Sequence, residues 1–267
     1  MSRPLAEQLW GAALWALAMG ALLLTTMLGH AWQQDPKMAG MAGMSADPSG
    51  HPCDEMADSM HSMSVMGQSM AAMTNHMCIT PLRPKQPGDE ERAKALVALV
   101  RVSIEKYKDY KKALADGYVI ANPTVVQPQY HFMNNTNARL ADTQFDATKP
   151  SALLYYQTPT KRYNLEGVMF TDSTSANEDE LNERVPLSIA RWHEHMNFCA
   201  APAEKVKEYH GDRPKFGMFG SIHTKEACQA EGGTFFPVIF NWMIHVFPYE
   251  NDFKDIFSMN DDVPHVH

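Results

Sequence analysis

The sequence has no surplus of basic charge and no run of Lys or Arg. Its 31 acidic residues stand against 23 basic ones, for a net charge of −8. A nucleic-acid partner is therefore not expected, because that role needs a positive footprint. There is no HExxH, no GxSxG turn and no paired-carboxylate signature, so no hydrolytic reaction is named. There is no Gly-rich phosphate loop and no alternation of strand with helix, which argues against a nucleotide-binding α/β fold. Cysteine is scarce, at four in 267 residues. From Gln33 to Met77 there is no Leu, Ile, Phe, Tyr or Trp, and Val65 and Cys53 are the only large apolar side chains besides Met. Such a segment cannot bury enough surface to offset the entropy of ordering it.

One apolar run is present. Residues 9–28 carry no charge, follow Arg3 and lead into Gly29-His30-Ala31. Small residues at 29 and 31 fit a cleavage site, so 1–31 reads as a signal peptide cut after Ala31. The alternative is a retained anchor, since about 20 apolar residues also span a bilayer. Membrane contact is expected only under that alternative, and both readings place the rest outside the cytoplasm, in a periplasm or secreted. An even cysteine count then suggests disulfides. Proximity favours Cys53–Cys78 and Cys199–Cys228 among three possible pairings. A competing reading makes Cys199 a metal ligand.

Residues 32–88 read as a flexible Met- and His-rich arm, closed by the Pro-rich linker "TPLRPKQPGDEE" at 80–91. Residues 89–267 read as a single α+β domain. Ala95, Leu96, Leu99, Val102 and Ile104 recur near helical spacing, with Asp89, Glu90 and Glu91 at the start and Gly117 at the end. This predicts one long N-terminal helix. Beyond it, "YVIANPTVV", "PQYHFMN", "SALLYYQT", "RYNLEGVMF", "ARWHEHMNF" and "FFPVIFNWMIHVFPY" are aromatic and β-branched and predict a mostly antiparallel sheet. Short helices are expected at 176–183, 203–209 and 224–230.

The arm concentrates sulfur. Met56, Met60, Met63, Met66, Met70, Met73 and Met77 repeat at intervals of three and four, and Met38, Met41 and Met44 precede them. That spacing also describes a helical packing stripe. A packing stripe would normally use Leu, which is absent here. Thioethers are soft, carry no proton and form no disulfides, and they select Cu(I). His61 and His76 add imidazoles that also take Cu(II). Linker, partner-binding helix and oxidation sink are the competing readings.

In "RWHEHMNFC", strand geometry puts His193 and His195 on one face and Glu194 on the other. His245 in "FNWMIHVFPYE" and His131 in "QYHFMN" sit in apolar, strand-like contexts. Any one of the four alone reads as a hydrogen-bonded core histidine. Together, in the best-buried segments, they read as a site, since each would otherwise need its own partner. An imidazole site with an open position suits copper, with zinc a second candidate. Its metal should be lost as pH falls through about 6.5, whereas thioether-bound Cu(I) should persist. His265 and His267 are either a metal-binding tail or inert.

The segments "KKALADGY", "QYHFMN", "DATKPSALLYY", "EGVMF", "WHEHMNFC", "EACQAEGGTFF" and "FNWMIHVFPYEND" occur in this order over 95–257. With W-H-x-H and W-M-x-H-V as their most specific parts, they resemble a family of uncharacterised secreted or periplasmic bacterial proteins. The resemblance implies export and one folded domain, is compatible with a His-built metal site and supplies no substrate. The arm, outside it, resembles the Met-rich segments of periplasmic copper-handling proteins. Three readings follow. The first is an exported copper-binding protein for homeostasis, resistance or delivery, with metal ions and a periplasmic copper donor or acceptor as partners. The second is a metal-dependent extracytoplasmic enzyme, oxidoreductase or hydrolase, with a three-His site. The third is a metal-free domain with core histidines.

Overall fold

A computed structural model of the chain describes residues 75–124 and 126–259. Strand β1 (Met77–Ile79) comes first, then helix α1 (Asp89–Ile104). Gly88 introduces α1 with φ at 90°, and Asp89, Glu90 and Glu91 fill its first turn, where acidic side chains complement the helix dipole. Ala93, Leu96, Val97, Val100 and Ile104 form its buried stripe. The apolar face is rotated from the sequence expectation, because Leu99 and Val102 are 47% and 76% exposed.

The expectation of one long helix to Gly117 is corrected. A 3-10 turn (Glu105–Lys108) follows α1, and a separate helix α2 (Tyr110–Ala115) follows that. Asp109 makes the break. Its backbone is extended (φ −87°, ψ 96°), and its side chain accepts from the Lys111 N–H to cap α2. A side chain that hydrogen-bonds its own neighbouring backbone competes with helix continuation.

The chain then runs through β2 (Val119–Ile120), β3 (Tyr130–Met133), α3 (Asn135–Ala141), β4 (Ala152–Gln157), β5 (Tyr163–Asp172) and α4 (Glu178–Arg184). It ends with β6 (His193–Ala200), a 3-10 segment (Ala203–Tyr209), α5 (Lys225–Ala230), β7 (Thr234–Val238), β8 (Trp242–Val246) and α6 (Phe253–Ile256). The class is α+β. The strands form one antiparallel sheet in the order β1-β6-β8-β5-β4-β3-β2, with β7 pairing to β6. The strands lie where aromatic and β-branched residues place them, and all three short helices lie within two residues of expectation.

One correction concerns the arm. Met77–Ile79, expected within the flexible segment 32–88, is a strand that pairs with β6. The first half of β6 pairs with β1 and β8, and the second half with β7. Asn197, at φ 54°, marks the change, with its Nδ2 donating to Asn75 O. Asn is one of the few side chains that tolerate this left-handed conformation.

The main core lies between α1 and one face of the sheet. Tyr130, Phe132, Leu153, Tyr155, Val168, Phe170, Trp242 and Ile244 supply the sheet side. A second cluster, with Ala152, Leu154, Met169, Met243 and Phe247, occupies the opposite face. A third, around Cys199, Phe216, Ile222 and Cys228, lies at the far end of β6. Cys199 and Cys228 form a disulfide there. That corrects the reading of Cys199 as a metal ligand, because its sulfur is already committed. Cys78 is also disulfide-bonded, while Cys53 lies outside the described residues. No helix among the described residues is long and apolar enough to cross a membrane, and residues 9–28 lie outside them. The disulfide is compatible with an extracytoplasmic location.

Candidate functional site

Strand alternation sorts the side chains of the sheet. Even-numbered residues of β3 and β8 enter the main core, so His131 on β3 and His245 on β8 occupy the opposite face. His193 is paired with Met243, a member of that second cluster, and so shares its face. His195, two residues on, shares it too. Glu194 is fully buried and lies opposite Cys78, which enters the main core. That is the alternation expected of His-Glu-His on a strand.

The four imidazoles form a row. The ring centroids of His131 and His245 are 5.7 Å apart, those of His245 and His193 are 5.2 Å apart, and those of His193 and His195 are 5.5 Å apart. His193 and His245, in the middle, are each only 2% exposed, and His131 and His195 at the ends are partly exposed. Two imidazoles on one ion at about 2.0–2.1 Å, at a tetrahedral angle, hold their centroids about 5 Å apart. Edge-to-face rings at such separations also occur by packing alone. Among the described residues, no three His, Cys, Asp or Glu side chains stand together as a complete metal-holding group. The structure therefore presents successive pairs rather than a closed trio.

The first of these distances reveals the shape of the sheet. β3 and β8 are separated by β4 and β5. Three strand spacings of about 4.8 Å would put their side chains about 14 Å apart on a flat sheet. A centroid distance of 5.7 Å requires the sheet to curl, with the histidines on its concave side. The curl has a visible cause. The β4–β5 pairing slips at Leu154/Tyr155, and Gly167 lies beside the slip. A Cβ on Gly167 would stand 2.5 Å from the Val246 carbonyl and 2.9 Å from the Phe247 ring. Bulges and strand glycines bend sheets and permit close backbone approach.

The remaining sequence candidates separate into two groups. Met56, Met60, Met63, Met66, Met70, Met73 and His61 lie outside the described residues, as do His265 and His267. Met77 and His76 lie within them. Met77 is 5% exposed and faces His195 across the β1–β6 pair. His76 is 1% exposed, and its Nε2 donates to Gly220 O at 2.8 Å, so that nitrogen is committed to the fold.

The described residues also contain an open cleft of about 490 Å³, lined by Asp142, Thr143, Asp172, Glu180 and Arg184 among others. None of the four histidines lines it. Burial pushes the Asp172 carboxyl up to about 6, against the pull of the Arg184 guanidinium 2.6 Å away. Arg184 also donates to the carbonyls of Ala141 and Thr171. Its contacts tie α3, β5 and α4 together, which is a structural role.

Sequence reasoning missed the sheet methionines. Met169 lies opposite His245, and Met243 opposite His193. Both are buried in the second cluster, and Met133 packs against it. The signal was available as strand alternation, since each occupies the parity of a histidine on its own or a paired strand. No protein-family model, curated protein or solved structure matches the chain.

Proposed function

We propose that the chain is an exported copper-binding protein, of the secreted or periplasmic kind that its motifs resemble, acting in copper homeostasis, resistance or delivery. The Met-rich arm collects Cu(I), and the concave face of the sheet holds copper through the buried pair His193 and His245, with His131 and His195 flanking. The observation that carries this reading is the imidazole row. Histidines from three strands, far apart in sequence, meet on one face at separations that a shared ion produces. Imidazole is a ligand for copper in both common oxidation states, and the arm's thioethers favour Cu(I). Zinc is the competing occupant of the imidazoles alone.

The test is metal analysis and copper titration of the full chain recovered from a periplasm, compared with H193A/H245A. Wild type is expected to retain copper that the variant loses, measured below the variant's own unfolding transition, which the two cavities left by the buried imidazoles will lower. Equal copper content and affinity in both proteins would refute the assignment. Zinc in place of copper, lost from the same variant, would keep the site and overturn the metal.

A further inference from the structure

We propose that the concave face is a mixed nitrogen–sulfur site in which Met169 and Met243 act as thioether ligands beside His193 and His245, with Met77 serving His195. This rests on the copper reading above and goes beyond it, because it gives the sheet its own Cu(I) chemistry, independent of the arm.

Pairing geometry carries the argument. His193 lies directly opposite Met243, and His245 directly opposite Met169. Met243 and His245 are two residues apart on β8 and therefore share a face. The four residues occupy neighbouring positions on three adjacent strands, β6, β8 and β5. Directly opposed side chains have Cβ atoms about 4.5–5.5 Å apart, within reach of a thioether on its flexible stem. All four are buried, with Met169 at 4% and Met243 at 6% exposure.

Met77 repeats the pattern one strand out. The Thr80 N–H donates to Trp192 O, and the Met196 N–H donates to His76 O, each at 2.9 Å. Those bonds make 80/192 and 76/196 the hydrogen-bonded pairs. Met77 and His195, odd-numbered between them, then form a non-hydrogen-bonded pair, the arrangement in which side chains approach most closely.

The imidazole row alone holds no complete set of three. Two imidazoles and two thioethers make four donors. Neutral soft sulfur with imidazole nitrogen suits Cu(I), tolerates Cu(II) and disfavours Zn²⁺. The bland alternative is that these methionines pack their sulfur against ring edges, which is a favourable contact without any metal.

The experiment uses the full chain with Met38, Met41, Met44 and the arm methionines 56–73 changed to Leu, so that remaining thioether signals come from the folded region. Cu(I) is added under reducing conditions, and copper-edge X-ray absorption reads the ligand shell. A sulfur shell is expected. M169L/M243L in the same background should lose most of it and bind Cu(I) at least about tenfold more weakly, with Cu(II) affinity changed less. Met-to-Leu exchange conserves volume and usually costs under about 1.5 kcal/mol, so the apo melting curve serves as a folding control. As a second measurement, the arm-substituted chain labelled with selenomethionine should show copper–selenium scattering, most of which the equally labelled M169L/M243L variant should lose. A nitrogen-only shell in the arm-substituted chain, or a shell unchanged in M169L/M243L, would overturn the thioether inference. Copper binding unaffected by H193A/H245A would instead remove the reading on which it rests.

Discussion

The Gly167→Ala substitution tests whether the curl of the sheet is held by close backbone approach. The added Cβ would begin 2.5 Å from the Val246 carbonyl oxygen and 2.9 Å from Phe247 Cδ1. Carbon–oxygen contacts settle at about 3.3 Å or more, so β5 and β8 must part by several tenths of an ångström. The nearest atom is backbone, which cannot rotate away as a side-chain tip does. Overpacking of this kind costs about 1–3 kcal/mol. Loss of glycine's freedom in the unfolded chain returns about 0.4–1 kcal/mol. The net destabilisation is then about 1–2 kcal/mol, which for a domain of this size lowers Tm by about 2–8 °C. Scanning calorimetry of the apo protein gives the first readout. The second is copper affinity, which should fall although no histidine has been touched, because Met169 and His245 lie on the two strands that must separate. A Tm within about 1 °C of wild type, with unchanged copper affinity, would refute the claim that Gly167 sets the spacing.

Two further outcomes follow from other parts of the fold. Replacing Cys199 and Cys228 by Ala opens a link between residues 29 apart in sequence. Loop entropy puts its stabilisation at about 3.5 kcal/mol. Urea denaturation should show the unfolding free energy lowered by that amount, with the copper binding proposed at His193 and His245 retained below the transition, because the bond lies at the other end of β6. At the same end of the molecule, Lys205 and then Lys215 hold the Glu231 carboxyl at about 2, from an ordinary value of 4.5. A depressed carboxyl contributes stability above 4.5 that is lost as pH falls toward 2. The stability difference between wild type and Glu231→Gln should therefore shrink over that range, and shrink further in high salt; a difference independent of pH would contradict the assignment.

Much of the fold was legible because its signals are local. Aromatic and β-branched runs separated by turn residues mark β3, β4, β5, β6 and β8, and the His-Glu-His alternation fixed which way β6 would face. The misses also have local causes. Lys106 to Lys112 is a good helix-forming stretch, and only the cap made by Asp109 reveals the break between α1 and α2. β1 has three residues, too few for a period of two to show, and it inherits the composition of the arm. Leu99 and Val102 are apolar yet exposed, so the phase of α1 could not be read from apolar positions alone. The curl was illegible for a different reason. It depends on the fit of Gly167 against a strand about 80 residues later in the chain, and no window of sequence contains both partners.

Met77 belongs to both proposed sets of donors. By sequence it is the last member of the arm's repeat, four residues after Met73. By structure it is a strand residue facing His195. Four residues of chain span at most about 14 Å of backbone, so under the proposed function an ion taken up at Met73 would be held within that span, plus the side-chain lengths, of Met77. Tethers this short give effective concentrations in the millimolar range. Under the proposed function, exchange from arm to sheet would be an intramolecular step that trades thioether for thioether until imidazole is reached. The deepest pair, His193 and His245, offers nitrogen beside the sulfur of Met243 and Met169. Under the proposed function, that gradient, from sulfur alone to sulfur with nitrogen, would give the arm a physical reason to end inside the sheet rather than before it.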